Sequence, residues 1–194
     1  MPHIIFKGIA RADDPDLLAV NPKPAGARDL RLSSVAEQVL WMLPGFFLCI
    51  TSMIMKARLT GRFPLLAPLL PVGVLLGILA CFLHELLHAL PQPKGAIVYI
   101  GFIPKGFLFF MKCKEPISRQ RFVLMALLPV TLGVIPLALF WFSTSSALCA
   151  LWWPMAMIGF LSPAPDYANV FHILREVPPK GRIQDAEQGL CWFV

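Results

Sequence analysis

The chemistry in this sequence is concentrated at His84-Glu85-Leu86-Leu87-His88, a pair of histidines in the H-E-x-x-H arrangement. On a helix, positions i and i+4 lie on one face about one turn apart, so both imidazoles can grip a single tetrahedral zinc ion. Glu85 is not needed as a ligand. It lies beside the metal, where it can take a proton from the attacking water and pass it to a leaving amine. Zinc brings the pKa of such a water down to about 7 in favourable sites, which supplies a nucleophile near neutral pH. By chance the pattern arises on the order of once in several hundred chains of this size and composition. Its setting adds weight, because a charged group at mid-membrane costs about 2.5 kcal/mol or more and ionisable residues in an apolar helix are functional candidates by default. The bland alternative places the three residues at the cytoplasmic interface as caps or snorkelling groups.

A zinc held by two histidines needs a third protein ligand and keeps a fourth position for water. Asp166 is the leading candidate, as the first ionisable group after a run of 44 residues, Phe122 to Pro165, without Asp, Glu, Lys, Arg or His. Pro163 and Pro165 interrupt the backbone just before it. His84 stands six residues before Leu90, about 9 Å of helix, so the two sites can meet at similar depth. The alternative for Asp166 is the N-cap of a helix over Tyr167 to Arg175. His172 and Glu176 are the other candidate ligands, although beyond the apolar run surface roles are expected of both. Asn169 could orient a substrate or bond to backbone. Cys81 shares the face of His84 as a core or lining residue rather than a fourth ligand, since a closed site leaves no room for water.

The elements that position these groups follow from composition. A chain of 194 residues suits one compact domain. Hydrophobic residues make up 57% and charged residues 14%, with a mean hydropathy of +0.70, which excludes an ordinary water-facing surface. The net charge of +6 would suit nucleic acid only if the basic residues shared a face, and they are dispersed along the chain, so no nucleic-acid partner is expected. Five cysteines without a CxxC pair imply no disulfide or zinc-knuckle framework. The N-terminal MPHIIFKGIARADDPDLL has neither an apolar h-region nor a small-residue cleavage site, so no removed signal peptide is expected.

These patterns predict an all-α integral membrane protein with about four transmembrane helices and a short β-hairpin or re-entrant loop between helices 2 and 3. The first span covers Val39 to Met55, and the second starts at Phe63 and continues through the histidines to Leu90, where Pro91 stops it. The 44-residue run divides at Phe142-Ser143-Thr144-Ser145-Ser146 into the third and fourth spans, kinked at Pro129, Pro136 and Pro154. Ahead of the spans, Asp13, Asp14 and Asp16 set against Lys23, Arg28 and Arg31 mark an extramembrane arm. Between the second and third, Gly95 to Phe110 is β-branched and aromatic around a Pro104-Lys105-Gly106 turn. That segment could offer a strand edge to an extended substrate through Val98 and Ile100, or anchor aromatic rings among headgroups. With the N-terminus in the cytoplasm, 14 of the 17 basic residues fall inside, so both termini are expected there. The loop of Lys56, Arg58 and Arg62 is the dissent.

HELLHAL in an apolar helix, the Gly- and aromatic-rich hairpin, EPISRQRFVLMALLP, and PDYANV after the final span together resemble the putative zincin peptidase family of small bacterial membrane proteins. More distantly, they are similar to the site-2 protease group of intramembrane metalloproteases. The resemblance covers roughly residues 75 to 175. It implies His84 and His88 as zinc ligands, Glu85 as catalytic acid and base, and Asp166 as the third ligand. The site-2 pattern has Gly after the distal aspartate within an Asn-Pro motif, where this chain reads Ser162-Pro163-Ala164-Pro165-Asp166-Tyr167. The resulting organisation is a cytoplasmic N-terminal arm over 1–34, a membrane-embedded zincin-like domain over 35–175, and a cytoplasmic C-terminal tail over 176–194.

The function expected is that of a multi-pass cell-membrane zinc metalloprotease, with the lipid bilayer as its setting and a membrane protein or peptide as its substrate, cut at or near the cytoplasmic face. The alternative is a catalytically inactive zincin-like scaffold or binding protein. A metal or proton transporter ranks last, because spans one and three offer no ionisable residue for a path across the bilayer.

Overall fold

The computed structural model describes residues 1–11, 14, 21–31, 33–61, 63, 68–104, 108–186 and 189–194. In order, its elements are β1 (His3–Ile9), β2 (Arg28–Asp29), α1 (Val35–Thr60), α2 (Leu70–Ala89), β3 (Ile97–Ile103), β4 (Leu108–Cys113), β5 (Ile117–Ser118), α3 (Arg119–Leu127), a 3-10 turn (Leu128–Val130), α4 (Thr131–Phe142), α5 (Ser146–Leu161), α6 (Ala164–Glu176), β6 (Arg182–Ala186) and β7 (Gly189–Phe193). They pack as two compact units. One comprises Ser34–His84 and Pro129–Tyr167, and the other Met1–Ser33, Glu85–Leu128 and Ala168–Val194.

Among the described residues, four helical stretches are long and apolar enough to cross a membrane: Val35–Thr60, Leu70–Ala89, Arg119–Phe142 and Ser146–Glu176. The first starts four residues before the expected Val39. Its start is set by a capping box, in which Ser34 Oγ accepts from the Glu37 N–H at 3.2 Å and Glu37 Oε2 accepts from the Ser34 N–H at 2.8 Å. It ends at Gly61, whose φ of 64° is left-handed and costs glycine nothing. The second helix ends at Ala89, as Pro91 predicts. The third and fourth stretches are each broken by proline. Pro129 sits in the 3-10 turn between α3 and α4, and Pro163 in the turn between α5 and α6.

Within the apolar unit, glycines let backbones approach closely. A Cβ at Gly45 would lie 2.8 Å from Phe160, one at Gly77 would lie 2.6 Å from Ile158, and one at Gly159 would meet the Leu132 carbonyl. Helix α5 is therefore the shared packing surface for α1, α2 and α4. Cys49, Ala156 and Phe160 form the buried cluster there, and the Trp153 indole N–H donates to the Cys49 carbonyl at 3.0 Å. Lys56, only 5% exposed, sends its ammonium to the end of α4, donating to the carbonyls of Phe140, Trp141 (3.1 Å) and Ser143 (2.7 Å). It serves as a C-terminal cap for acceptors that the last helical turn leaves open.

The charged unit corrects the all-α expectation, because it contains two sheets. In the first, ordered β1-β3-β4, β1 runs parallel to β3 and β4 antiparallel to it. In the second, ordered β2-β7-β6-β5, all neighbours are antiparallel. Its core gathers Leu30, Ile117, Phe122, Met125, Ile173 and Ile183 around Ala126. The β3–β4 pair is the expected hairpin, although Lys105 and Gly106 of its predicted turn lie outside the described residues. So do Asp13 and Asp16 of the arm and Arg62 of the basic loop. The arm and the tail hold strands that local pattern missed, since His3 pairs with Ile97 and Arg28 with Trp192 across long stretches of chain. All five cysteines are free thiols, and burial is the main cause that pushes those of Cys113 and Cys191 up.

The strand-edge expectation at Val98 and Ile100 is also corrected. Strand β3 is flanked on both sides, and both residues are fully buried. Val98→Pro is thus expected to lower stability by at least about 2 kcal/mol, through lost ladder bonds and a misfitting ring. Thermal unfolding in detergent measures this, and an unchanged midpoint would contradict a central position for β3.

Candidate metal centre

Helix α2 carries His84 and His88 one turn apart, 7% and 6% exposed. Asp166 stands in the first turn of α6, whose helical residues begin at Ala164, so it is a helical residue and not the N-cap of a helix starting at Tyr167. Its Oδ2 lies 3.2 Å from His84 Nε2. One donor atom from each of His84, His88 and Asp166 lies within 4.8 Å of the other two, and among the described residues this is the group of this kind that the fold assembles.

The geometry fits a shared ion. Zinc bonds of about 2.0–2.2 Å at tetrahedral angles put neighbouring donors about 3.4 Å apart. The 3.2 Å separation matches that edge, and 4.8 Å leaves only small side-chain rotations for the third donor. Two imidazoles and one carboxylate are also the donor set of open zinc sites, which retain a position for water.

Both imidazoles are held at their other nitrogen. His88 Nδ1 lies 2.9 Å from the Met125 carbonyl oxygen. A carbonyl only accepts, so Nδ1 carries a proton, and in the neutral ring Nε2 then has the lone pair. His84 has Ser162 Oγ at 3.4 Å from Nδ1, while its Nε2 faces Asp166. Gln92, 7% exposed, adds a contact from Nε2 to Met125 Sδ at 3.0 Å. Such partners fix ring orientation and tautomer in metal sites. The sequence reading gave Met125, Ser162 and Gln92 no role: a backbone carbonyl has no residue signature, and a lone Ser or Gln has no ligand spacing to mark it.

The remaining candidates go elsewhere. His172 Nδ1 pairs with Glu176 Oε1 at 3.7 Å along α6. The Cys81 thiol points back to the Gly77 carbonyl at 3.8 Å. Asn169, three residues after Asp166, has a buried Oδ1 without a hydrogen-bond partner among the described residues. Glu85 directly follows His84 and is partly buried.

The fold thus combines helices long and apolar enough to cross a membrane with a His-His-Asp group whose spacing could hold a metal ion. Residues 77–180 match the family described as putative zincin peptidases, and the chain belongs to that family. No curated protein and no solved structure matches it.

Removing one of three donors opens such a site. Asp166→Ala is expected to weaken zinc binding by more than about 100-fold, beyond the 10–100-fold typical of losing an outer partner. Elemental analysis and chelator competition on detergent-purified protein measure this, and undiminished affinity would exclude the carboxylate.

Proposed function

We propose that the protein is a membrane-embedded zinc metalloprotease that hydrolyses peptide bonds of a membrane protein or peptide at the cytoplasmic face. The convergence of His84, His88 and Asp166 within 4.8 Å carries this reading, and membership of a zincin peptidase family supports it. His84, His88 and Asp166 would hold the metal, His88 through Nε2. Zinc supplies Lewis-acid chemistry, making water nucleophilic near neutral pH and polarising a carbonyl. Glu85 accepts the proton of the attacking water and returns it to the departing amine. The fixed Nδ1 hydrogen bond of His88 keeps its imidazole from reorienting while charge develops.

Sheet pairing supports the proposed orientation. Strand β1 bonds to β3, β2 to β7 and β5 to β6. Hydrogen-bonded strands cannot face each other across a bilayer, so the arm, the 92–121 segment and the tail share one side. With Arg175 at the end of α6, these segments hold 14 of the 17 basic residues, which favours the cytoplasm. The dissenting loop loses force because Lys56 is occupied by the α4 carbonyls.

Glu85→Gln is expected to keep zinc at the wild-type level while cleavage falls by about 10²-fold or more. The readout is new protein N-termini in membranes carrying either the wild type or Glu85→Gln, mapped by mass spectrometry. If zinc-loaded wild type generates no more new termini than Glu85→Gln does, the noncatalytic scaffold is favoured instead.

A cysteine placed at Ser145, in the α4–α5 link, is expected to react with an impermeant thiol reagent from the non-cytoplasmic side. Modification from the cytoplasmic side alone would overturn the orientation.

A further inference from the structure

A backbone carbonyl has two lone pairs and can serve a side chain beside the helix ladder, as that of Leu139 does, but one released from the ladder depends on the side chain alone, and the sequence around Met125 shows how this one is released. In α3 the Leu128 N–H donates to the Leu124 carbonyl. The next bond of the ladder would run from the N–H of residue 129 to the Met125 carbonyl. Residue 129 is proline, which has no N–H. The Met125 oxygen therefore keeps an acceptor site that the regular ladder would fill, in a residue only 8% exposed, where an unserved carbonyl costs about 1–3 kcal/mol. His88 Nδ1 meets that oxygen at 2.9 Å.

We propose that Pro129 is a positioning residue for the metal centre: by withholding a backbone donor it reserves the Met125 carbonyl for His88 Nδ1–H, which fixes the tautomer that presents Nε2 as a ligand. This rests on the zinc-site reading above and assigns a role in it to a residue without a polar side chain. Pro129 is fully buried. Kinking the helix would be a sufficient explanation for a proline here if the freed carbonyl met nothing. Instead the freed oxygen meets the ring of a motif histidine, and Gln92 Nε2 reaches the sulfur of the same methionine at 3.0 Å. Pro136 in α4 provides a contrast, because the carbonyl it frees, that of Leu132, lies against the backbone of Gly159.

Three variants of the full chain in detergent test the role: Pro129→Ala, which restores an N–H; Pro129→lactic acid by nonsense suppression, an ester that, like proline, has none; and Pro136→Ala as the kink control. Two readouts are used, zinc affinity by chelator competition and the ¹⁵N shifts of His88 in metal-free protein, which report the tautomer, with thermal midpoints recorded for each. Pro129→Ala is expected to bind zinc about tenfold more weakly and to lose the pure Nδ1–H tautomer. The ester and Pro136→Ala should keep wild-type values for both. Unchanged affinity and tautomer in Pro129→Ala would overturn the proposal, as would equal losses in Pro129→Ala and the ester. Wild type that binds no zinc would sink the metalloprotease reading instead, and the tautomer comparison would still decide the role of Pro129.

Discussion

A polar group shut away from water must find a partner inside the protein, because leaving it unserved costs about 1–3 kcal/mol and a charged group costs more. The apolar helices meet this constraint at three of the ionisable groups that their fold draws inward. Lys56 finds the open carbonyls at the end of α4. His84 finds Asp166, and His88 finds the Met125 carbonyl. These pairings do more than neutralise a penalty. A buried imidazole with one nitrogen already committed has a single orientation left, and its second nitrogen then points where a metal can use it.

Close packing supplies the second condition. Three donors converge to zinc-like spacing only if the backbones that carry them come near each other and stay there. The glycines at 45, 77 and 159 sit where a methyl group would collide with a neighbouring helix. They make α5 a surface on which other helices rest at short range, in the manner of small residues in membrane helices. Helix α6, bearing Asp166, follows α5 after only the Ser162-Pro163 turn. The turn redirects the chain without loosening it, since proline fixes one of the two torsions there.

The sheets impose a different restriction. Parallel pairing of β1 with β3 requires the N-terminal strand to lie beside a segment that follows two long apolar helices, and the tail must return to pair with β2 and β5. Such pairing ties three separated pieces of chain into a single body with its own core. It also gathers most of the basic residues there, which is the observation that the proposed orientation draws on.

Local pattern was enough for much of this. Long runs without charge mark the four apolar stretches, β-branched and aromatic residues on either side of a proline–glycine turn mark the hairpin, and the i, i+4 histidines mark one face of a helix, because each signal is contained within a few turns or strands of contiguous chain. Asp166 was legible as a candidate for a related reason, being the first ionisable group after an uncharged run. What sequence could not decide was everything that depends on residues far apart in the chain. The strands of the arm and tail are too short to announce themselves without their distant partners, and so an all-α protein was expected where two sheets exist. Likewise, that Asp166 rather than His172 or Glu176 comes to 3.2 Å from His84, that β3 has no free edge, and that a methionine carbonyl holds His88 are outcomes of packing. Periodicity reports which face of an element is apolar, but the partner that covers that face is chosen by close packing and hydrogen-bond satisfaction, which operate only once the chain has folded.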